Sequence, residues 1–261
     1  MSERKYQGGR GGATVVQMTR PADLRPVLQR YGALRGADGK IVTSRATDLD
    51  ASRMTGGLIN DTNRLGSAHV LQRLHPVFGA AVNDDIATLT EILRARGVPV
   101  PTLCPAADGR PFVVLGDASP ADARGVWRIM TLLDGETIHR FGSAAQAGSA
   151  ARMVGQFHRA LSGVDHTFAF TRPGAHDTNK HMRSVDDALA EQPTHRLAAA
   201  VEGIRDELDT RWRRWDGELD LPMRICHGDL KASNLLFNAS GQACAILDLD
   251  TMAHLSLDIE L

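Results

Sequence analysis

The sequence predicts an α+β chain of two lobes, a small antiparallel sheet carrying one helix followed by a mainly helical lobe. Three observations predict it. Short strand-like runs cut by glycine and proline fill the first half, and longer stripes with a 3.6-residue period follow. Between Ile225 and Asp250 a polar loop leads into a hairpin whose second apolar run ends in aspartates. The third observation is size: 261 residues at 43% hydrophobic can bury a sizeable core, enough for one large or two modest domains.

Residues 1–20, with Gly8-Gly9-Arg10-Gly11-Gly12, cannot bury much and read as a flexible leader. Pro21 to Tyr31 sets Leu24, Val27, Leu28 and Tyr31 at helical spacing, and a strand-like Lys40 to Ser44 follows. A glycine turn at Gly56-Gly57 leads to a strand over Val70 to Leu74. Asn83 to Arg96 reads as a helix with Ile86, Leu89, Ile92 and Leu93 on one stripe and Gly97 as its stop. Pro111 to Leu115 and Val126 to Leu133 read as strands, the second ending at the linker, so the lobes divide as 21–133 and 134–261. In the second lobe, Ala144 to Leu161 carries a core stripe of Val154, Phe157, His158 and Leu161. A helix from Thr194 to Trp215 is expected to turn Leu197, Val201, Ile204, Leu208 and Trp215 inward.

A net charge of −1 with no basic run argues against a nucleic-acid partner, because duplex binding needs clustered Lys and Arg. Cys104, Cys226 and Cys244 are odd in number and lack C-x-x-C spacing, so they read as reduced, mostly buried thiols. No apolar stretch approaches the roughly 20 residues that span a bilayer, and Met1-Ser2-Glu3-Arg4-Lys5 leads into glycines rather than a signal core. A cytoplasmic chain with no membrane partner is expected.

The segment His227-Gly228-Asp229-Leu230-Lys231-Ala232-Ser233-Asn234 has an Asp five positions before an Asn, with a further Asp on a strand about a dozen residues on. That spacing matches the phosphotransfer pattern H-x-D-x-x-x-x-N plus a metal-binding Asp. Phosphoryl transfer needs an acceptor for the attacking hydroxyl's proton and oxygen ligands that hold magnesium against phosphates. Fully extended, the five steps from Asp229 to Asn234 would span roughly 17 Å, so the segment must curl, and Gly228 and Ser233 suit the bend. Asn238-Ala239-Ser240-Gly241 reads as a hairpin turn, and Gln242 to Leu249 as a buried strand. On a strand Asp248 and Asp250 would share a face about 7 Å apart. A buried face with two carboxylates calls for a cation, and magnesium is the expected one.

On these residues the chain resembles the aminoglycoside phosphotransferase and choline kinase superfamily, whose fold is protein-kinase-like. Further segments bring it close to N-acetylhexosamine 1-kinase-like proteins: Thr55-Gly56-Gly57-Leu58-Ile59-Asn60-Asp61-Thr62, Val70 to Phe78, Trp127-Arg128-Ile129-Met130, Asp134-Gly135-Glu136-Thr137, Gly155 to Leu161 and His176-Asp177-Thr178. The resemblance implies Asp229 as the catalytic base, Lys231 reaching the transferred phosphate, and Asn234 and Asp248 as Mg2+ ligands. It implies that Gly56, Gly57, Asn60, Asp61 and Thr62 cover the nucleotide phosphates, and that backbone groups around Met130 to Leu132 meet the adenine of ATP. The third strand carries Gln72 or Arg73 where a phosphate-pairing Lys is expected; Arg73 is the candidate, with Asp84 or Asp85 as its acidic partner. His227 and Asp258 are expected to brace the catalytic loop.

The resemblance implies an ATP- and Mg2+-dependent transfer to a small-molecule hydroxyl, first of all the anomeric 1-hydroxyl of an N-acetylhexosamine, with His176, Asp177 and Thr178 among the groups that read the sugar. An aminoglycoside, choline or homoserine kinase is the alternative within the class, and a nucleotide-binding pseudokinase the alternative outside it. Relatives continue past Asp258, so the chain reads as C-terminally truncated, its second lobe incomplete. The face behind Leu247 and Leu249 would then be left open to form a homodimer.

Overall fold

The computed structural model of the chain describes residues 23–54, 59–215 and 221–257. The expected leader at 1–20, the turn glycines Gly56 and Gly57, and Asp258 lie outside the described residues.

The first lobe begins with a four-residue helix, α1 (Arg25–Leu28), and a small hairpin of β1 (Leu34–Arg35) and β2 (Ile41–Thr43). The main sheet is built from β3 (Ala51–Arg53), β4 (Asp61–Leu65), β5 (His69–Arg73), β6 (Leu103–Cys104), β7 (Val113–Leu115) and β8 (Gly125–Thr131). It runs in the order β3-β4-β5-β8-β6, with β7 also on β8, and every pairing is antiparallel. The period of two sorts its side chains between faces. Leu65, Leu71, Trp127 and Ile129 join Leu28, Tyr31 and Leu34 in a core on one face. Thr62, Gln72 and Arg128 lie opposite one another across β4, β5 and β8 on the other face.

Between β5 and β6 runs α2 (Val82–Ala95), whose stripe of Ile86, Leu89 and Leu93 is buried. Gly97 takes φ of 78 degrees and stops the helix, and the Val98 N–H closes back on the Leu93 carbonyl at 2.9 Å in a left-handed cap. The helix packs in a second core with Met153, Phe157 and Leu161, and with Ile225, Leu249 and Met252. Each such buried side chain contributes on the order of 2 kcal/mol, and because the cluster draws on both halves of the chain, it fixes the two lobes against each other.

The second lobe comprises β9 (Glu136–Thr137), α3 (Ala144–Leu161), α4 (Thr178–Glu191), α5 (Ala198–Arg214), β10 (Met223–Cys226), β11 (Leu235–Phe237), β12 (Ala243–Ile246) and β13 (Ala253–Ser256). Ser143 caps α3 by accepting from the Gln146 N–H at 3.1 Å, which sets its start where the sequence places it. β12, β11 and β9 form one small sheet, and β10 pairs with β13. These two ladders hold the ends of the segment 227–234.

Three expectations change. The first helix is only α1. A separate helix, α4, runs from Thr178 to Glu191, where no helix was expected. The stripe on α5 faces outward, with Ile204 61% and Leu208 50% exposed. Periodicity tells which residues share a face, not what covers that face. Among the described residues, no helix is long and apolar enough to cross a membrane.

Candidate active site

The segment 227–234 leaves β10 at Cys226 and turns sharply. Gly228 has φ of 78 degrees, and a Cβ there would stand 2.5 Å from the Thr251 carbonyl oxygen, so only glycine fits. The buried His227 lies just before it. Its Nε2 is 2.7 Å from the Leu247 carbonyl, which can only accept, so Nε2 carries the proton. Thr251 Oγ1 donates to the His227 carbonyl at 2.8 Å. The two loops that end in Asp229 and Asp248 are thereby laced together.

Asn234 completes the curl. Its Nδ2 donates to the Asp229 carbonyl at 2.9 Å and to Asp229 Oδ2 at 3.3 Å. Leu247 N–H donates to the Asn234 carbonyl at 2.8 Å, bringing the residue before Asp248 against the loop. Lys231 Nζ forms an ion pair with Asp229 Oδ2, and both side chains are open to solvent. Asp229, Lys231, Asn234 and Asp248 thus belong to one cluster of loops, as their spacing requires.

Asp248 is not on a strand. β12 ends at Ile246, and Asp248 takes left-handed φ and ψ of 60 and 59 degrees before a single 3-10 turn, Leu249–Thr251. Burial, and then the neighbouring Asp250 carboxylate, push its carboxyl above the usual range. A solvent-reachable carboxylate in the same loop cluster as the Asn234 amide offers oxygen donors that fit magnesium. That ion is commonly held by one or two carboxylates together with phosphate oxygens.

Asp250 departs from the expectation of a shared metal face. It is 2% exposed, and Arg128 Nη1 and Nη2 meet its two oxygens at 2.5 and 2.8 Å. Asn60 Nδ2 adds a third donor at 2.8 Å. The cation beside this carboxylate is a guanidinium. Arg128 is also 3% exposed and draws in Gln72 and Asn83.

Arg73 is a correction. The register puts it on the opposite face of β5 from Gln72, where it forms an ion pair with Asp61 and stacks over Trp127 with 5.7 Å to the ring centroid. Asp61 is turned the same way and also meets Arg53 at 3.1 Å. Neither acid proposed for α2 serves Arg73. Asp85 instead accepts from His166 Nε2 at 2.9 Å and from the Ala169 and Phe170 N–H groups at 2.9 and 3.0 Å, tying α2 to that loop. The α2 side chain that meets the sheet's cation is Asn83.

Thr62 lies on the Gln72 face, its Oγ1 accepting from Gln72 Nε2 at 3.1 Å. Asn60 is held from both ends, because its Oδ1 also accepts from the His75 N–H at 2.9 Å. Met130 sits in the sheet between Val70 and Leu103, and the Leu132 N–H donates to the Ala68 carbonyl at 2.8 Å. That donor is therefore spent on the sheet rather than turned toward a base.

Asp177 caps α4 by accepting from the Lys180 N–H at 2.8 Å; Thr178 is the first helical residue and His176 is exposed. Asp177 and Thr178 thus form the start of α4, with His176 in the turn before it. Arg128, Asn83 and Asp250's true partner escaped the sequence reading. The available signal was a lone arginine inside the apolar run Val126-Trp127-Arg128-Ile129-Met130, a position where a charge must be paired.

Comparison with known structures agrees with this architecture. An amicoumacin kinase bound to AMP-PNP and Ca2+ aligns over 90% of this chain and 65% of its own, with TM-score 0.57 and 13% identity. A microcompartment-associated aminopropanol kinase aligns over 88% and 69%, with TM-score 0.56 and 17% identity. The GDP complex of wild-type aminoglycoside 2'-phosphotransferase-IIIa aligns over 80% and 69%, with TM-score 0.52 and 17% identity. At such identities they establish the two-lobed kinase-like fold. Residues 50–254 match the model of the phosphotransferase enzyme family, a span that contains both the Arg128–Asp250 pair and the whole Asp229–Asp248 loop cluster, and the chain belongs to that family.

Proposed function

We propose that the protein transfers the γ-phosphoryl group of ATP to a hydroxyl of a small molecule, with Mg2+ as cofactor. The observation that carries this reading is the Asn234 bridge to Asp229, which sets a solvent-open carboxylate in the same loop cluster as the exposed Asp248. Asp229 accepts the proton of the attacking hydroxyl. Lys231, already at the Asp229 carboxylate, offers positive charge to the moving phosphoryl group. Asn234 and Asp248 would hold the magnesium ion, which when bound neutralises charge on the phosphate oxygens. Related proteins solved with AMP-PNP or GDP support a nucleotide as the donor.

For the acceptor we favour a neutral polyol, an N-acetylhexosamine first. One observation speaks against a polycationic acceptor at the second-lobe acids: Arg205 meets Asp186 at 2.7 Å, Asp206 at 3.2 Å and Asp209 at 3.9 Å, and its guanidinium holds the Asp186 carboxyl below its usual range. Three of the acids that would greet a cation are already paired. An assay of labelled ATP against a panel of hexosamines, aminoglycosides, choline and amino alcohols tests the assignment. Product with N-acetylglucosamine or N-acetylgalactosamine supports it, and turnover of kanamycin or choline with no hexosamine product overturns it.

A further inference from the structure

The geometry points to Arg128 as a positioning residue that holds the Asp248 turn through Asp250 and ties it to the nucleotide-facing sheet. The inference rests on the proposed function for its magnesium reading, but its geometric content stands without it. Arg128 has five N–H donors, and all five are engaged. Nε donates to Gln72 Oε1 at 3.0 Å. Nη1 donates to Asn83 Oδ1 at 3.2 Å and Asp250 Oδ1 at 2.5 Å, and Nη2 to Gln72 Oε1 at 2.7 Å and Asp250 Oδ2 at 2.8 Å. A guanidinium saturated in this way has no donor left for a phosphate, so it acts through what it holds.

It holds three separate pieces of the molecule, and a fourth joins them at Asp250. Gln72 comes from β5, Asn83 from α2, and Asp250 from the turn after β12; Asn60, at the flank of the glycine turn, reaches the same Asp250 oxygen at 2.8 Å. The turn needs such support. Asp248 is the one non-glycine residue with positive φ among the described residues, a conformation that persists only where its surroundings impose it. On its N-terminal side Leu247 is fixed at both backbone groups, by Asn234 and His227. On its C-terminal side the fixed points are Thr251, whose Oγ1 donates to the His227 carbonyl, and the Asp250 carboxylate. Arg128, through Asp250, therefore supplies the clamp that ties the Asp248 turn to the sheet and to α2.

A lysine cannot replace it, because three donors on a flexible stem cannot meet Gln72, Asn83 and both Asp250 oxygens together. The test compares the parent with Arg128→Lys and with the pair Arg128→Met and Asp250→Leu, which removes both buried charges so that neither is stranded. Hydrogen exchange of the segment 247–252 is read without ligand, and binding of Mg2+·ATP is read by calorimetry. In the parent, the Leu247 and Met252 amides should exchange as slowly as the β11–β12 ladder. In both variants that protection should be lost while β11 and β12 keep theirs, and Mg2+·ATP affinity should fall by about 10- to 100-fold, the usual effect of removing a group that orients a metal ligand. Rapid exchange of this segment in the parent, or parent-like protection in the paired variant, overturns the inference. Absence of Mg2+·ATP binding in the parent would overturn the proposed function and leave the exchange result to decide this one.

Discussion

Asn234 Nδ2 donates to both the carbonyl and the carboxylate of Asp229, so one side-chain amide fixes the shape of the 229–234 loop and the direction of its acid. The amide's remaining oxygen is the group left to face a metal. The arrangement makes the two residues separable by experiment.

Replacing Asp229 by Asn keeps the shape and removes the base. Turnover should fall by about 10² to 10⁴, the usual contribution of a positioned general base, while Mg2+·ATP affinity stays near that of the parent. Steady-state kinetics with calorimetry on the same preparations check this.

Gly228→Ala should destabilise the fold. The left-handed conformation alone costs an L-residue roughly 1–2 kcal/mol, and the Thr251 carbonyl, 2.5 Å from the added Cβ, must move away. Because Thr251 Oγ1 also holds the His227 carbonyl, activity should fall with stability. Urea unfolding midpoints, read beside the kinetics, measure both effects.

Asp248→Asn should stabilise the ligand-free protein at neutral pH. Burial and Asp250 raise the folded carboxyl's pKa above its unfolded value. The folded state therefore holds its proton more tightly, and stability falls as pH rises through that window. Above it the full cost is present, and Asn removes it; at acid pH the advantage should fade. The same substitution should abolish the thermal shift produced by Mg2+·ATP in the parent. Melting curves from pH 4 to 8, with and without Mg2+·ATP, give both answers.

Ile204→Lys on the open stripe of α5 should change stability by no more than about 0.5 kcal/mol, as is usual for exposed positions. A substitution placed in a core would cost several times more. Thermal unfolding distinguishes the outward-facing stripe from the inward one that periodicity suggests.

The span of α3 was legible in its 3.6-residue period, though of the expected stripe Phe157 and Leu161 are buried while Val154 and His158 are half-buried, with Met153 and Ala160 beside them. The sequence also marked the Asp229–Asn234 curl, since the spacing allows little else. Asp248 and Asp250 were misread as neighbours on one strand face, because a single left-handed residue leaves no trace in an apolar pattern. The role of Arg73 could not be read either: adjacent strand residues face opposite ways, and only the register with β8 shows that Gln72, not Arg73, meets Arg128. Pairings across the lobes, such as Arg128 with Asp250, join positions 122 residues apart, and no local signal encodes them.

The most direct measurement is transfer of label from γ-labelled ATP to a small-molecule acceptor by the parent and by Asp229→Asn, each with and without Mg2+. The account predicts a phosphorylated product that needs Mg2+ and is nearly lost in the variant. Equal product formation by the two proteins, or formation undiminished by removing Mg2+, would contradict it.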